Sequence, residues 1–119
     1  PIAHAMGYPD RIASGVSALD MFKVAHLDFE EPDFNRFPCL GLAYKALAAG
    51  GNMPAVLNAA NEIAVESFLK RRMVFTAIPT MIEYVMQTIQ QEEMTTLDDV
   101  LRTDRLARDV AREWLANRQ

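Results

Sequence analysis

Apolar residues recur every three or four positions along most of the chain, which is the spacing of amphipathic helices. Proline, glycine and capping side chains mark where helices begin and end. Among these, Thr76 is a candidate N-cap, and Thr96 and Asp99 have the spacing of a capping box. The predicted segments run from Pro1 to Tyr8, from Pro38 to Gly50, from near Asn52 to Lys70, from Thr76 to Ile89, from Thr96 to Leu101, and from Thr103 or Asp104 to Leu115. The sequence therefore predicts a mainly α fold.

The apolar stripes of the later helices indicate which faces are buried. These stripes are Leu57, Ala60, Ala64 and Phe68 after Asn52, widened by Val56 and Ile63; Ile78, Ile82, Val85, Met86 and Ile89 after Thr76; and Leu106, Val110 and Trp114 in the last helix, widened by Ala107, Ala111 and Leu115. Four or five such helices with short connections must bury their stripes against one another. We therefore predict an antiparallel helical bundle over residues 37–119.

The first 36 residues follow a different pattern. After the short helix, residues 10–20 have little periodicity, which indicates a surface connection. Ala25 to Phe29 then alternate apolar and polar side chains, as in a strand with one buried face. A single strand cannot satisfy its own hydrogen bonds, so its partner is expected in a neighbouring domain. Residues 1–36 are thus predicted to be a connecting segment of helix, loop and strand.

Composition narrows the class of protein. The 119 residues are half apolar, which is enough for one compact domain, and the net charge of -4 argues against a nucleic-acid-binding surface. Cys39 is the only cysteine, so the chain cannot form an internal disulfide or a thiolate metal site. No apolar run has the roughly 18 residues of a membrane span, and no signal peptide is evident. We expect a soluble domain from a reducing compartment.

Asn58, Asn61 and Glu62 form the most suggestive polar group, because their spacing places them on one face of a helix. A structural role is favoured over a catalytic one, since polar groups beside a buried stripe usually hydrogen-bond a neighbouring element. In particular, we predict that the Asn61 amide is largely buried and hydrogen-bonded to backbone outside its own helix.

The charged residues have structural explanations as well. His4 and His26 are the only histidines, and they lack the spacing of a helical zinc site. Lys70 to Arg72 follow a helix, where cations favour the helix dipole, although they could hold a phosphate. Arg105, Arg108 and Arg112 alternate with acidic residues and indicate a solvated helix face with ion pairs.

Motifs that would identify an active site are missing from the sequence. Gly50 and Gly51 follow a helix rather than a strand and lack the further glycines of a dinucleotide-binding fingerprint. No nucleophile elbow is present. We therefore predict no catalytic, cofactor-binding or metal-binding residue in this chain.

Several segments, in this order and spacing, resemble the C-terminal portion of the 1-deoxy-D-xylulose 5-phosphate reductoisomerase family. They are PIAHAMGYPDR at Pro1 to Arg11, SGVSALD at Ser14 to Asp20, FPCLGLA at Phe37 to Ala43 and LNAANEIAV at Leu57 to Val65. The resemblance implies an enzyme that converts 1-deoxy-D-xylulose 5-phosphate to 2-C-methyl-D-erythritol 4-phosphate in non-mevalonate isoprenoid synthesis. It also implies NADPH and a divalent cation, Mg or Mn, as cofactors of the whole enzyme.

The resemblance assigns NADPH binding and catalysis to preceding domains and a supporting role to this chain. Trp114 lies in the terminal helix and does not match the tryptophan of the family's flexible lid. We expect the isolated chain to be inactive, the whole enzyme to be a homodimer, and its location to be the bacterial cytoplasm or a plastid. The chain alone is expected to self-associate through Ala25 to Phe29. The alternative is a free-standing helical protein-interaction module.

Overall fold

A computed structural model describes residues 2–118, in which six helices are present and no residue forms a strand. The helices are α1 (Ile2–Gly7), α2 (Met21–Val24), α3 (Pro38–Ala49), α4 (Met53–Leu69), α5 (Ala77–Thr88) and α6 (Leu97–Ala116). Pro1, predicted to open the first helix, lies outside the described residues. The prediction of a mainly α helical bundle is confirmed.

The chain divides into two compact units between Glu31 and Pro32. In the first unit, α1 and α2 are short and residues 2–31 contain no buried side chain. Residues 11–20 contain no helix or strand and are exposed, as predicted for a surface connection. This unit therefore has no hydrophobic core among its described residues.

The prediction of a strand from Ala25 to Phe29 is wrong for this chain. Met21–Val24 is a helical turn, in which the Asp20 carboxylate accepts hydrogen bonds from the backbone N–H groups of Phe22 and Lys23. Ala25 has a φ of 57°, outside the strand region. His26 Nε2 lies 2.8 Å from Asp28 Oδ1, so two polar positions of the alternation contact each other. Within residues 2–118 no other strand is present to accept the ladder hydrogen bonds of this segment, so it forms none.

The second unit is built around α4, which contacts α3, α5 and α6. Its core combines Ile89, directly after α5, with apolar residues from all four helices: Leu42, Ala46, Met53, Val56, Ala59, Ala60, Ile63, Ala64, Ile78, Met81, Ile82, Val85, Ala107, Ala111 and Trp114. Alanines of both α4 and α6 are completely buried. Small side chains permit close approach of helix axes, so these alanines suit a central helix with several neighbours.

The buried face of α4 differs from the predicted stripe. Ala60 and Ala64 are buried as predicted, but Leu57 is only half-buried and Phe68 is 37% exposed. Val56 and Ile63, predicted to widen the stripe, are buried, so the buried face is shifted towards them and away from Phe68. A helix that is contacted by three neighbours buries a face set by where those neighbours lie, which periodicity alone does not specify.

The prediction of two helices after Thr96 is also wrong, because α6 is continuous. Thr96 begins it with the predicted capping box: its hydroxyl accepts the Asp99 N–H at 3.2 Å, and Asp99 accepts the Thr96 N–H at 3.0 Å. Thr103, predicted as a possible second cap, is buried inside the helix. Thr76 precedes α5 as predicted, but its side chain makes no capping hydrogen bond.

Candidate functional site

Two members of the suggestive polar group belong to a network that joins α4 to α6. Asn58 donates a hydrogen bond to Glu62 Oε1 at 3.2 Å, and Arg108 Nη2 donates to Glu62 Oε2 at 2.6 Å. The same guanidinium holds Asp104 through two hydrogen bonds of 2.7 and 3.0 Å. Arg108 is the best buried member of the network. Its two carboxylates therefore fix a guanidinium at the junction of two helices.

The network shifts the pKa values of its members in the directions expected for ion pairs. The hydrogen bond from Arg108 lowers the pKa of Glu62, with the charge of Arg108 and the hydrogen bond from Asn58 adding to it. The hydrogen bond from Arg108 also lowers the pKa of Asp104. The pKa of Arg108 is raised, chiefly by the hydrogen bond with Asp104. Each charged group of the network is hydrogen-bonded within it, which supports a structural role.

Asn61 lies apart from this network, and the prediction for it is wrong. Its side chain is only partly buried and makes no hydrogen bond among the described residues. It lines a groove of about 470 Å³ together with residues near the starts of α3 and α5. Among the described residues, Glu62 is the one member of the polar group that accepts a hydrogen bond from α6.

The buried amide with the predicted role is Asn52, which is 2% exposed. Its Nδ2 donates to the Gln90 carbonyl at 3.0 Å, and its Oδ1 accepts the Glu92 N–H at 3.1 Å. The Asn52 N–H also donates to the Glu92 carbonyl at 2.9 Å. This side chain was missed as a site residue because its partners are about 40 residues distant. The only local signal was an asparagine directly after two glycines.

Gly51 allows this connection between two loops. Its φ is 52°, and a Cβ there would lie 2.4 Å from the Glu92 carbonyl oxygen. Gln91 adds a further link, donating from Nε2 to the Ala49 carbonyl at 2.6 Å. The loop between α3 and α4 is thus fastened to the segment after α5 by backbone and side-chain hydrogen bonds. These hydrogen bonds stabilise the bundle.

The remaining predicted charges lie on the surface. Lys70 pairs with Glu66 one turn earlier, and this pairing lowers the pKa of Glu66. Arg71 has a φ of 58° and ends α4 by donating its N–H to the Phe68 carbonyl, while the Arg72 N–H donates to the Ser67 carbonyl. This is a Schellman-type helix end, which explains the position of Arg71 without a ligand.

The other cations and histidines are also exposed. Arg112 pairs with Asp109 at 3.0 Å on α6, as the alternating charges predict, and Arg105 is exposed on the same helix. His4 packs edge-on against Tyr8 with ring centroids 6.0 Å apart, and His26 contacts Asp28. Across residues 2–118, no group of three or more His, Cys, Asp or Glu side chains is arranged to hold a metal ion. In the same residues no helix has the length and hydropathy of a membrane span.

The sequence of this chain is similar to proteins of a known family. A family model described as the DXP reductoisomerase C-terminal domain matches residues 1–110. The 1-deoxy-D-xylulose 5-phosphate reductoisomerase of Nitrosospira multiformis is 69% identical over 115 residues, which are 97% of this chain and 29% of that protein. The enzyme of Nitrosomonas europaea is 67% identical over 98% of this chain and 28% of its own length. The chain thus spans less than a third of these relatives.

Solved structures give the same result. The reductoisomerase of Zymomonas mobilis in complex with NADPH has a TM-score of 0.84 and 38% identity, and the match covers 96% of this chain and 30% of that one. A second structure, a reductoisomerase with NADPH, fosmidomycin and magnesium, has a TM-score of 0.77 and 35% identity over 97% of this chain and 30% of its own. The helical unit described above is therefore a fold that such enzymes contain.

Proposed function

Because this chain belongs to the family of DXP reductoisomerase C-terminal domains, we propose that it is the C-terminal part of an enzyme that converts 1-deoxy-D-xylulose 5-phosphate to 2-C-methyl-D-erythritol 4-phosphate. The observation that carries this proposal is the family match over residues 1–110. Identities of 69 and 67% with reductoisomerases support it. The enzyme would act in non-mevalonate isoprenoid synthesis.

In that enzyme the chain supports the catalytic domains and supplies no reacting group. Two observations favour this role: the Asn58, Glu62, Arg108 and Asp104 network is closed on itself, and Asn52 serves to connect loops. NADPH and a divalent cation would be bound by the preceding domains, since related structures contain NADPH and magnesium. When bound, the cofactor supplies hydride and the cation polarises substrate oxygens.

Residues 2–31 would provide the connection to those domains. They expose Ile2, Met6, Val16 and Phe22 by 79, 84, 81 and 97%. A segment with so many exposed apolar side chains gains stability only by burying them against another surface. We propose the catalytic domains as that surface, in a homodimeric enzyme of the bacterial cytoplasm or of a plastid.

A chimera tests the catalytic proposal. The C-terminal 30% of the Zymomonas mobilis reductoisomerase would be replaced by this chain, and NADPH oxidation would be measured with 1-deoxy-D-xylulose 5-phosphate and Mg²⁺. We expect activity near that of the parent enzyme. A chimera that folds and binds NADPH but does not turn over substrate would contradict the proposal. The matched control is the same chimera ending before residue 1, which should be inactive.

The isolated chain provides the complementary test. We expect no binding of NADPH in calorimetry, with or without Mg²⁺, because the sequence has no dinucleotide-binding fingerprint. Saturable micromolar binding that is removed by a substitution within residues 2–118 would show that the chain contains a cofactor site after all.

The alternative function is a free-standing helical module that binds protein partners. Independently of that alternative, we propose that the isolated chain self-associates through Ala25 to Phe29. The backbone from 27 to 32 makes no backbone hydrogen bond among the described residues, and Phe29 is 88% exposed. Such a segment can pair with a second copy and become a strand only there. Sedimentation of the chain and of its Leu27→Lys variant tests the self-association. A dimer that the Leu27→Lys substitution dissociates would support it. A monomer in both cases would exclude it.

A further inference from the structure

Three grooves on the helical unit differ in their charges. One is lined by Lys45 and Glu83, whose side chains lie 3.6 Å apart and neutralise each other. Another lies beside Arg71 and Arg72, at an open helix end whose geometry is already explained. The third is the groove of about 470 Å³ that Asn61 lines, which we call the Asn61 groove. It has the size of a small-molecule site and unbalanced polar groups.

The wall of the Asn61 groove is mainly apolar. It combines Phe37 and Pro38 at the start of α3, Val65 of α4, and Phe75 and Ile78 around the start of α5. Phe37 and Phe75 are 57 and 67% exposed, so their rings remain available for contact. Aromatic walls of this kind bind flat or aliphatic groups by excluding water from both surfaces.

The polar side chains of the groove include hydrogen-bond donors that the neighbouring helices do not use. Asn61 makes no side-chain hydrogen bond among residues 2–118, and Thr76 makes none to the backbone of α5. Arg36 lies over the Phe37 ring at 5.5 Å and forms no ion pair within the described residues. Nearby Asp33 is already engaged, accepting the N–H groups of Asn35 and Arg36.

The charged residues around the Asn61 groove indicate which class of ligand it can bind. Among the described residues that line the Asn61 groove, Arg36 is the only charged one and none carries a carboxylate. We therefore expect a ligand with a negatively charged group that pairs with the Arg36 guanidinium and an apolar part that contacts the aromatic wall. A cation would find no counter-charge, and a neutral hydrocarbon would leave the donors of Arg36 and Asn61 without acceptors.

We propose that the Asn61 groove binds a small carboxylate with an aromatic or aliphatic body, with Arg36 and Asn61 supplying the hydrogen-bond donors and Phe37, Val65 and Phe75 the apolar contact. This assigns a role to Asn61, the one member of the polar group that the network between α4 and α6 does not use. The site is independent of the proposed enzymatic function, because it lies wholly within the helical unit.

Cys39 provides a direct reporter of occupancy. It is the only cysteine of the chain, it lines the groove, and its thiol is partly buried. Burial raises the pKa of the Cys39 thiol, so alkylation by a maleimide is best followed at mildly alkaline pH. A ligand in the groove should slow this alkylation, and the protection can be titrated against ligand concentration.

The probe is 3-phenylpropionate, with the neutral 3-phenylpropanamide as its matched control. We expect saturable protection of Cys39 by the carboxylate with a Kd on the order of millimolar, as is typical for a ligand of about 11 non-hydrogen atoms. The amide should bind about tenfold more weakly, because it lacks the charge-assisted bond to Arg36. Equal protection by both compounds, or none by either, would overturn the proposal.

Variants locate the site. Arg36→Gln should weaken binding of 3-phenylpropionate about tenfold, and Asn61→Asp should weaken it further by repulsion while leaving binding of the amide unchanged. Arg105→Gln, on the exposed part of α6, is the matched control and should have no effect. The idea also fails if Cys39 is fully protected without any probe in the Zymomonas mobilis chimera, since polypeptide would then fill the groove.

Discussion

Residues 2–31 and residues 32–118 contain similar kinds of apolar side chains but use them differently. In the first region none of them is buried, and Phe22 is 97% exposed. In the second region, amphipathic helices pack against one another and bury Val56, Met81 and Val85 completely. Hydrophobic burial requires a facing surface, and only the second region contains its own. The comparison indicates which part of the chain can fold alone.

The largest expected difference between the regions is in hydrogen exchange. Amides of α4 should be protected by at least about three powers of ten, because opening them requires unfolding of the core. Amides of α1 and α2 should be nearly unprotected, since isolated helices of this length are marginal in water. Mass spectrometry after peptic digestion measures both in one sample. Equal protection would show that residues 2–31 fold onto a surface of their own.

A pair of methionine substitutions sharpens the same comparison. Met81→Ala should lower the free energy of unfolding by about 2 to 5 kcal/mol, because it empties a fully buried position. Met6→Ala, at a position that is 84% exposed, should change it by less than about 0.5 kcal/mol. Urea denaturation followed by circular dichroism measures both. A large effect of Met6→Ala would mean that α1 is packed in solution.

The loop connection provides a test within the second region. Asn52→Ala should cost about 1 to 3 kcal/mol, because it leaves the Gln90 carbonyl and the Glu92 N–H without their partner. Asn61→Ala should cost less than about 0.5 kcal/mol, since that amide makes no hydrogen bond among the described residues. If the two costs were reversed in thermal denaturation, the buried amide would have been misassigned.

The smallest expected effect is a pH dependence of the network between α4 and α6. Because the folded-state pKa values of Glu62 and Asp104 are lowered, their ion pairs stabilise the fold above the ordinary carboxyl pKa of about 4. This contribution is lost as the pH falls through the lowered values. Glu62→Gln should therefore lower the Tm slightly at pH 7 and not at pH 2.

Glu113→Gln is the control for this pH dependence, because Glu113 is exposed on α6 and forms no ion pair among residues 2–118. Its Tm should follow that of the unmodified chain at every pH. If the Tm of the Glu62→Gln variant also equals that of the unmodified chain at every pH, the contact between Glu62 and Arg108 adds no measurable stability. Many exposed ion pairs behave in this way.

Helix positions could be predicted from the sequence because their causes are local. Pro38 at a first turn, Gly50 after a last one and the Thr96 capping box each act within a few residues. The split of α6 at Thr103 was predicted wrongly for the same reason, since a threonine that could cap a helix was instead buried inside one. Packing outweighed a weak local preference there.

The candidate site was harder to predict than the fold. The spacing of Asn58, Asn61 and Glu62 was evident, but which of them meets Arg108 depends on where α6 crosses α4. The role of Asn52 depends on a segment about 40 residues further along the chain. Sequence spacing constrains neighbours on one helix and carries no information on partners from another.

By itself, then, the sequence determined the helical class, the approximate helix boundaries and the resemblance to a reductoisomerase C-terminal region, because periodicity, capping and ordered motifs are properties of the chain read locally. The tertiary structure decided which face of α4 is buried, that α6 is continuous, and that Ala25 to Phe29 form no strand here. Each of these depends on a partner surface, and a side chain or strand gains free energy only from the partner it meets.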